Sequence, residues 1–369
     1  MKKKVILFII LTTAITVFFT GCEQLSEPGQ DEESILPEKF SIDIPDAISF
    51  DATETTTKSV EPINGNLIYF HLAHFIHIGE SGGNIVEELI KDIVRYEINK
   101  PLSLSYTGED DGRIKNLAVK GNPYFEGKTW EYQLNLTDAE SEGNEDGGLA
   151  MQIFWNRNPI KGVAILKPYN IDRSKGENTS DAVFRIDYSE AGEKGYDAHM
   201  LVAASGLNVA DPLDNPYSTD ALKIFIGKEG DKIDVYGNSN HPNAVFFNGD
   251  SGFNWAFVAS GDATLDIGVA EVGLPDSYLD DPSRTVLLED YSIKNVFTTQ
   301  IYEVWPGISQ ESIDVFLYNT EAPGFFDNKG FIQGGTSPGE DHDVLVSRLP
   351  FLNPYNPKDI AELTISFMY

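Results

Sequence analysis

A serine set among glycines, three histidines on one short stretch and a run of acids are the groups in this 369-residue chain whose spacing could do chemistry. Gly79-Glu80-Ser81-Gly82-Gly83 has the form G-x-S-x-G, in which a sharp strand-to-helix turn presents a serine hydroxyl for nucleophilic attack. His342, between Asp341 and Asp343, comes late enough to complete a Ser…Asp…His order. The motif needs a buried strand before the serine, whereas the residues before Gly79 read as helix and those that follow read as β. Ser81 is therefore expected in a flexible loop joining two helices, with hydrolysis as the lesser reading. His71, His74 and His77 recur at i,i+3. Two such imidazoles can share a metal if a third ligand such as Glu80 joins them, but on a helix the outer two stand about 120° apart. His71 and His74 are thus candidates only for a weakly held ion. Asp138, Glu140 and Glu142, followed by Gly143, open like a calcium loop, yet Leu149 holds the place of the bidentate acid. A solvated hairpin loop is expected there, with weak calcium binding as the alternative. Adjacent carboxylates such as Asp280 and Asp281 carry no information in a chain with 58 acids. Trp130, Trp155 and Trp255 lie on apolar alternations and are expected in the core.

The first residues carry a different chemistry. Lys2, Lys3 and Lys4 precede an apolar stretch from Val5 to Phe19, which closes on Thr20-Gly21-Cys22. This is the layout of an export signal, too short for a stable membrane span. The chain's one cysteine directly after Thr-Gly resembles the lipobox of bacterial lipoproteins, with Phe19 where that family usually has leucine. The resemblance implies removal of residues 1–21, acylation of Cys22 and a lipid anchor in the membrane. In that family an aspartate after the cysteine favours inner-membrane retention. Glu23 stands here instead, which implies the outer membrane and leaves its periplasmic or surface face open. With Cys22 lipidated, the mature chain has no thiol for a disulfide, a catalytic nucleophile or a zinc-thiolate site.

Charge bounds the partners. The chain has 27 Lys+Arg against 58 Asp+Glu, a formal charge of −31, and no basic run interrupts the acidic background. Such a surface repels phosphate backbones, so nucleic-acid binding is excluded.

Several elements must position these groups. Residues 22–62 are acidic, contain prolines and show no sustained period, which reads as a disordered tether. Residues 63–99 read as a helical hairpin: an apolar segment over 67–78, a glycine-rich loop, then a stripe of Ile85, Val86, Leu89, Ile90, Ile93 and Val94. From residue 100 to 274 the period switches to two. Leu134 and Leu136, Ile153 and Trp155, Phe184, Ile186 and Tyr188, and Leu222, Ile224 and Ile226 alternate with polar neighbours. Residues 275–369 continue as a looser β region, with strand-like pieces at 312–318, 343–346 and 363–369, in the same or a separate domain.

The fold class expected is mainly β: an antiparallel sandwich or curved half-barrel with an N-terminal helical hairpin (α+β). The function expected is that of a lipid-anchored outer-membrane protein without catalysis, acting in binding or scaffolding. An apolar ligand held between sheet and hairpin by Phe70, Phe75 and Trp155 is one expectation; a surface glycan is the alternative. No cofactor beyond the lipid on Cys22 is expected.

Overall fold

The computed structural model describes residues 35–37, 39–49, 65–94, 98–175, 181–207, 219–245, 249 and 251–368. Cys22 and the signal lie outside them. A long helix, α1 (Gly65–Val94), precedes β1 (Leu102–Thr107), β2 (Ile114–Gly121), the two short strands β3 (Tyr124–Phe125) and β4 (Lys128–Thr129), and β5 (Tyr132–Asp138). Strands β6 (Leu149–Arg157) and β7 (Ile160–Leu166) follow, then a single turn α2 (Pro168–Ile171), β8 (Val183–Ser189) and β9 (Ala198–Ser205). Next come β10 (Ala221–Glu229), β11 (Lys232–Val245), β12 (Ser251–Asp262) and β13 (Ile267–Gly273). The last part holds α3 (Ile293–Val304), α4 (Gln310–Phe316), β14 (Gly324–Asp327), β15 (Gly330–Gly334), α5 (Glu340–Val346) and α6 (Pro357–Ala361).

All strands but β3 and β4 form one sheet of thirteen, each antiparallel to its chain neighbour, and β1 and β15 remain open edges. This is the mainly β, unclosed curved sheet that the alternation predicts. Successive residues on a strand face opposite sides, so Leu134, Ile153, Ile186, Val202, Ile224 and Phe257 share the concave face and are at most 1% exposed. The two-residue turn Gly230-Asp231 joins β10 to β11, with Gly230 at φ +57°.

The concave face is filled by α1. Ile68, Leu72, Phe75, Ile76, Val86, Ile90 and Ile93 form its buried stripe and join the sheet in one apolar core. The expected hairpin is a single 30-residue helix. Its glycines are there for close approach rather than for a turn: a Cβ on Gly79 would meet Ile224 Cδ1 at 2.8 Å, and one on Gly83 would meet Met200 Sδ at 2.6 Å. Each glycine costs about 1 kcal/mol of helix propensity, and the contacts made along the stripe offset it.

The expectation of a tether across 22–62 also fails for its middle part. Phe40, Ile42, Ala47 and Ile48 are at most 1% exposed, while Asp43 and Asp46 between them face solvent. This strap lies between sheet and helix. Trp155 Nε1–H donates to the Ile35 carbonyl at 2.7 Å, and the Phe40 ring stacks on Tyr188 with centroids 5.6 Å apart. The amide of Ile44 and the hydroxyl of Ser49 donate to Glu80, and the hydroxyl of Ser41 donates to Glu87. Full burial of Phe40 and Ile42 stabilises the strap by roughly 2 kcal/mol each, which outweighs the local excess of acids.

Residues 275–369 belong to the same sheet through β14 and β15 but hold more helix than strand. The strand-like pieces at 312–318 and 343–346 fall in α4 and α5. Ser309 caps α4 by accepting the Ser312 amide, and Glu340, Asp341 and Asp343 populate the first turn of α5, both helix-start signals. The outer face of β12 to β14 is covered by Leu287 of the helical turn over 285–290, by Leu345 of α5 and by Leu349 and Leu352 just after it, whereas α4 packs on α3 through Ile313 and Ile301. The final residues are extended without joining a ladder. Phe367 packs with Phe125, Trp130 and Phe154 on the outer face, and Met368 exchanges two hydrogen bonds with the Gln152 side chain.

Candidate functional site

The serine motif resolves into helix. Ser81 Oγ lies 3.4 Å from His77 Nε2, and His77 Nδ1 lies 3.7 Å from Glu80 Oε2. The trio has the composition of a hydrolytic triad but arises from i,i+3 and i,i+4 neighbours on one helix. The Ser–His distance is long for a hydroxyl hydrogen bond, and Glu80 is already engaged by Ile44 and Ser49 of the strap. Inside a continuous α-helix the amide after Ser81 is committed to a carbonyl four residues back, so the adjacent oxyanion donor of a nucleophile turn is missing. His342 does not approach: it is buried on the outer face, its Nε2 3.0 Å from the Phe326 carbonyl.

His71 faces Trp255 and Phe75, with centroids 6.1 and 6.5 Å away. Burial, then the neighbouring His74, lowers its pKa to about 4. Among the described residues no three His, Cys, Asp or Glu group into a metal-binding set.

The acidic loop is neutralised from within. Asp138 is fully buried and accepts from Arg113 Nε at 3.0 Å, from Ser141 Oγ at 2.8 Å and from Arg173 Nε at 3.3 Å. Burial pushes its carboxyl up, but the Ser141 and Arg113 hydrogen bonds and the nearby cations outweigh this and hold it below the usual range. Glu140 pairs with Arg113 and Glu142 accepts from Asn116. Two guanidiniums therefore stand where a calcium ion would have to sit, and the loop is an ion-paired strand connection.

The residues offered for an apolar pocket are packed. Trp155 is fully buried and Phe75, which α1 itself carries, is 5% exposed, both within the one apolar core, while Phe70 on the same helix is half-buried. Trp130 and Trp255 are core residues too; Trp305, 52% exposed, borders a shallow apolar hollow between α3 and α4.

The open polar site lies on the outer face between the helical cover and the C-terminal tail. It is a groove of about 670 Å³ crossing β7 to β10. The register builds its floor in cross-strand rows. Ile165, Arg185, Ala203 and Lys223 make one; Val163, Asp187, Leu201 and Phe225 the next; Lys161, Ser189, His199 and Gly227 the third. Ala203 leaves a depression between the longer Arg185 and Lys223 side chains. The ring of Tyr196 lies against Gly227, where a Cβ would meet it at 2.7 Å. One wall is the β3–β4 hairpin with Glu126 and Lys128; the other is the tail, whose Thr364 and Ser366 are exposed.

Five cations line the groove: Lys128, Lys161, Arg185, Lys194 and Lys223. Arg185 is clamped, donating to Asp187 at 2.8 and 2.9 Å and to both oxygens of Glu126. Lys161 pairs with Glu193. The other three rest on rings: Lys128 Nζ 3.7 Å from the Trp130 centroid, Lys223 Nζ 4.4 Å from Tyr355 and Lys194 Nζ 5.0 Å from Phe225. Burial, followed by the charge of Lys161, lowers the Lys128 pKa; burial also lowers that of Lys223. His199, 8% exposed, stacks on Phe225, and its Nδ1 makes no hydrogen bond. Burial and then Lys194 lower its pKa. No basic run announces this cluster in the sequence, because its members are distant in the chain and meet only through the sheet. The signal present was the wet side of the alternation, where Arg185, Asp187 and Lys223 stand between inward-facing apolar residues.

Compared with known proteins, the chain matches no family model, no curated protein and no solved structure.

Proposed function

We propose that this is a lipid-anchored outer-membrane protein that binds a polar ligand in its outer-face groove and performs no chemistry on it. The observation that carries the binding reading is the contrast between cavities: the concave face that an apolar-ligand carrier would leave open is filled by α1 and the strap, while the groove is open and polar-walled. The groove's volume falls in the range of sites for small ligands. Among the described residues that line it, no serine is hydrogen-bonded to His199, and the reading taken is binding rather than catalysis. A glycan is favoured over an apolar molecule because charged side chains and hydroxyls line the walls.

The anchor reading rests on the lipobox-like Thr20-Gly21-Cys22. Because the strap docks from Ile35 onward, Cys22 is at most roughly 45 Å of extended chain from the body. Expression of Cys22→Ser in the native host tests the anchor. The variant is expected to lose its acyl label and move from the membrane fraction to the soluble one; unchanged partitioning overturns the reading.

A further inference from the structure

We infer that the ligand of the outer-face groove is an acidic oligosaccharide, one whose carboxylate or sulfate groups are met by Lys128, Lys194 and Lys223. The inference rests on the reading of the groove as a polar-ligand site and adds the class of ligand.

The carrying observation is charge placed against the grain of the molecule. Acids outnumber bases 58 to 27 in this chain, yet five cations and only two carboxylates, Glu126 and Asp187, line the groove. Those two carboxylates are spent on Arg185. Lys128, Lys194 and Lys223 have ring contacts and, among the described residues, no carboxylate within ion-pair distance. Carboxylates act on Lys128 and Lys223 only from beyond ion-pair distance, so an anion seated in the groove would gain direct charge-assisted contacts that the protein itself does not make there. The second observation is independent of charge count. His199 lines the same groove, is more than nine-tenths buried and leaves Nδ1 without a hydrogen-bond partner. Buried polar atoms are rarely left unpaired, and an exception needs an explanation.

A sugar fits better than a bare anion. The exposed Thr364 and Ser366 hydroxyls stand beside the lysines, and these groups can exchange hydrogen bonds with sugar hydroxyls, which inorganic ions lack. The limited volume and the acidic surroundings disfavour a nucleic-acid chain.

The test is calorimetric titration of the full chain, held in non-ionic detergent. The probes are a tetragalacturonate, a sulfated tetrasaccharide, a neutral tetrasaccharide and inorganic phosphate. At least one acidic sugar is expected to bind, more weakly as salt is raised, and the two acidic probes separate carboxylate from sulfate recognition. Lys128→Gln/Lys194→Gln/Lys223→Gln is expected to weaken that binding roughly tenfold or more while its thermal unfolding stays that of the parent. His199→Gln is a second variant, expected to weaken the same binding with all charges kept. Equal binding of the neutral sugar overturns the acidic-ligand inference and leaves the polar-groove reading standing. Binding of phosphate alone marks an ion site and also overturns the inference. If no probe binds, both readings fall.

Discussion

Trp155, Phe184, Ile224 and Phe257 on the concave face are all at most 1% exposed and meet other apolar chains. On the opposite side of the neighbouring strands stand Arg185, Asp187, His199 and Lys223, each facing the groove. The same backbone thus serves two purposes. The inner face joins sheet, strap and α1 into one core. The outer face is covered at both ends, by helices and by the C-terminal tail, and left open between them. In a sheet with one buried face, stability resides in the inward positions and the outward ones are free to carry binding chemistry. The contrast can be broken by experiment.

The largest effect is expected at Trp155. Trp155→Ala removes a fully buried indole, leaves a cavity and strips the Ile35 carbonyl of its 2.7 Å donor. A loss of about 3–5 kcal/mol is expected in urea unfolding. Lys223→Ala on the outer face should change stability by no more than about 0.5 kcal/mol. Comparable losses at the two sites would erase the division of labour between faces.

A smaller effect separates close packing from loop flexibility in α1. Gly83→Leu places a side chain where Met200 Sδ already lies 2.6 Å from the Cβ position and Ser41 Cβ 3.2 Å. Overpacking of this kind costs about 1–3 kcal/mol, despite the gain in helix propensity. Ser81→Ala, two residues away on the same helix, should leave stability within about 0.5 kcal/mol and leave unchanged any hydrolysis the purified protein shows. A flexible glycine loop would instead tolerate the leucine. Loss of a hydrolytic activity in Ser81→Ala would restore the serine as a nucleophile.

Much of the inner face was legible in the sequence because its signal is local. Ile153 and Trp155, or Leu222, Ile224 and Ile226, betray a buried strand face within a few residues. The misreadings have physical causes. Gly79 to Gly83 resembles a loop because glycines break isolated helices, whereas here they admit β9 and β10 to within contact distance. The strap resembles a tether because composition averages Asp43 and Asp46 with the buried Ile42, Ile44 and Ile48 beside them. Asp138 resembles a calcium ligand until Arg113 and Arg173 arrive from other parts of the chain. The groove was the least legible part. Lys128, Arg185, Lys194 and Lys223 become neighbours only when β7 to β10 pair, and no local pattern encodes that meeting.

The finest probe of the two faces uses one histidine from each. His71, half-buried against Trp255 in the concave core, and His199, buried in the groove, both have pKa values lowered chiefly by burial. For His71 the folded value of about 4 lies below the ordinary 6.5. Between those values the unfolded chain binds more protons, so stability falls as pH drops from 6.5 toward 4 and the full penalty applies below 4. At pH 5.5 the cost is on the order of 1 kcal/mol. His71→Leu should flatten that slope in urea midpoints measured from pH 7 to pH 5, with or without an acidic sugar. His199 should behave differently because its environment is a binding site. An anion seated among Lys128, Lys194 and Lys223 opposes their charge and favours the protonated imidazole, so the ligand should reduce the slope due to His199 while leaving that of His71 intact. A ligand that altered both slopes alike would show that the inner core, too, senses the groove, and the separation of the faces would fail.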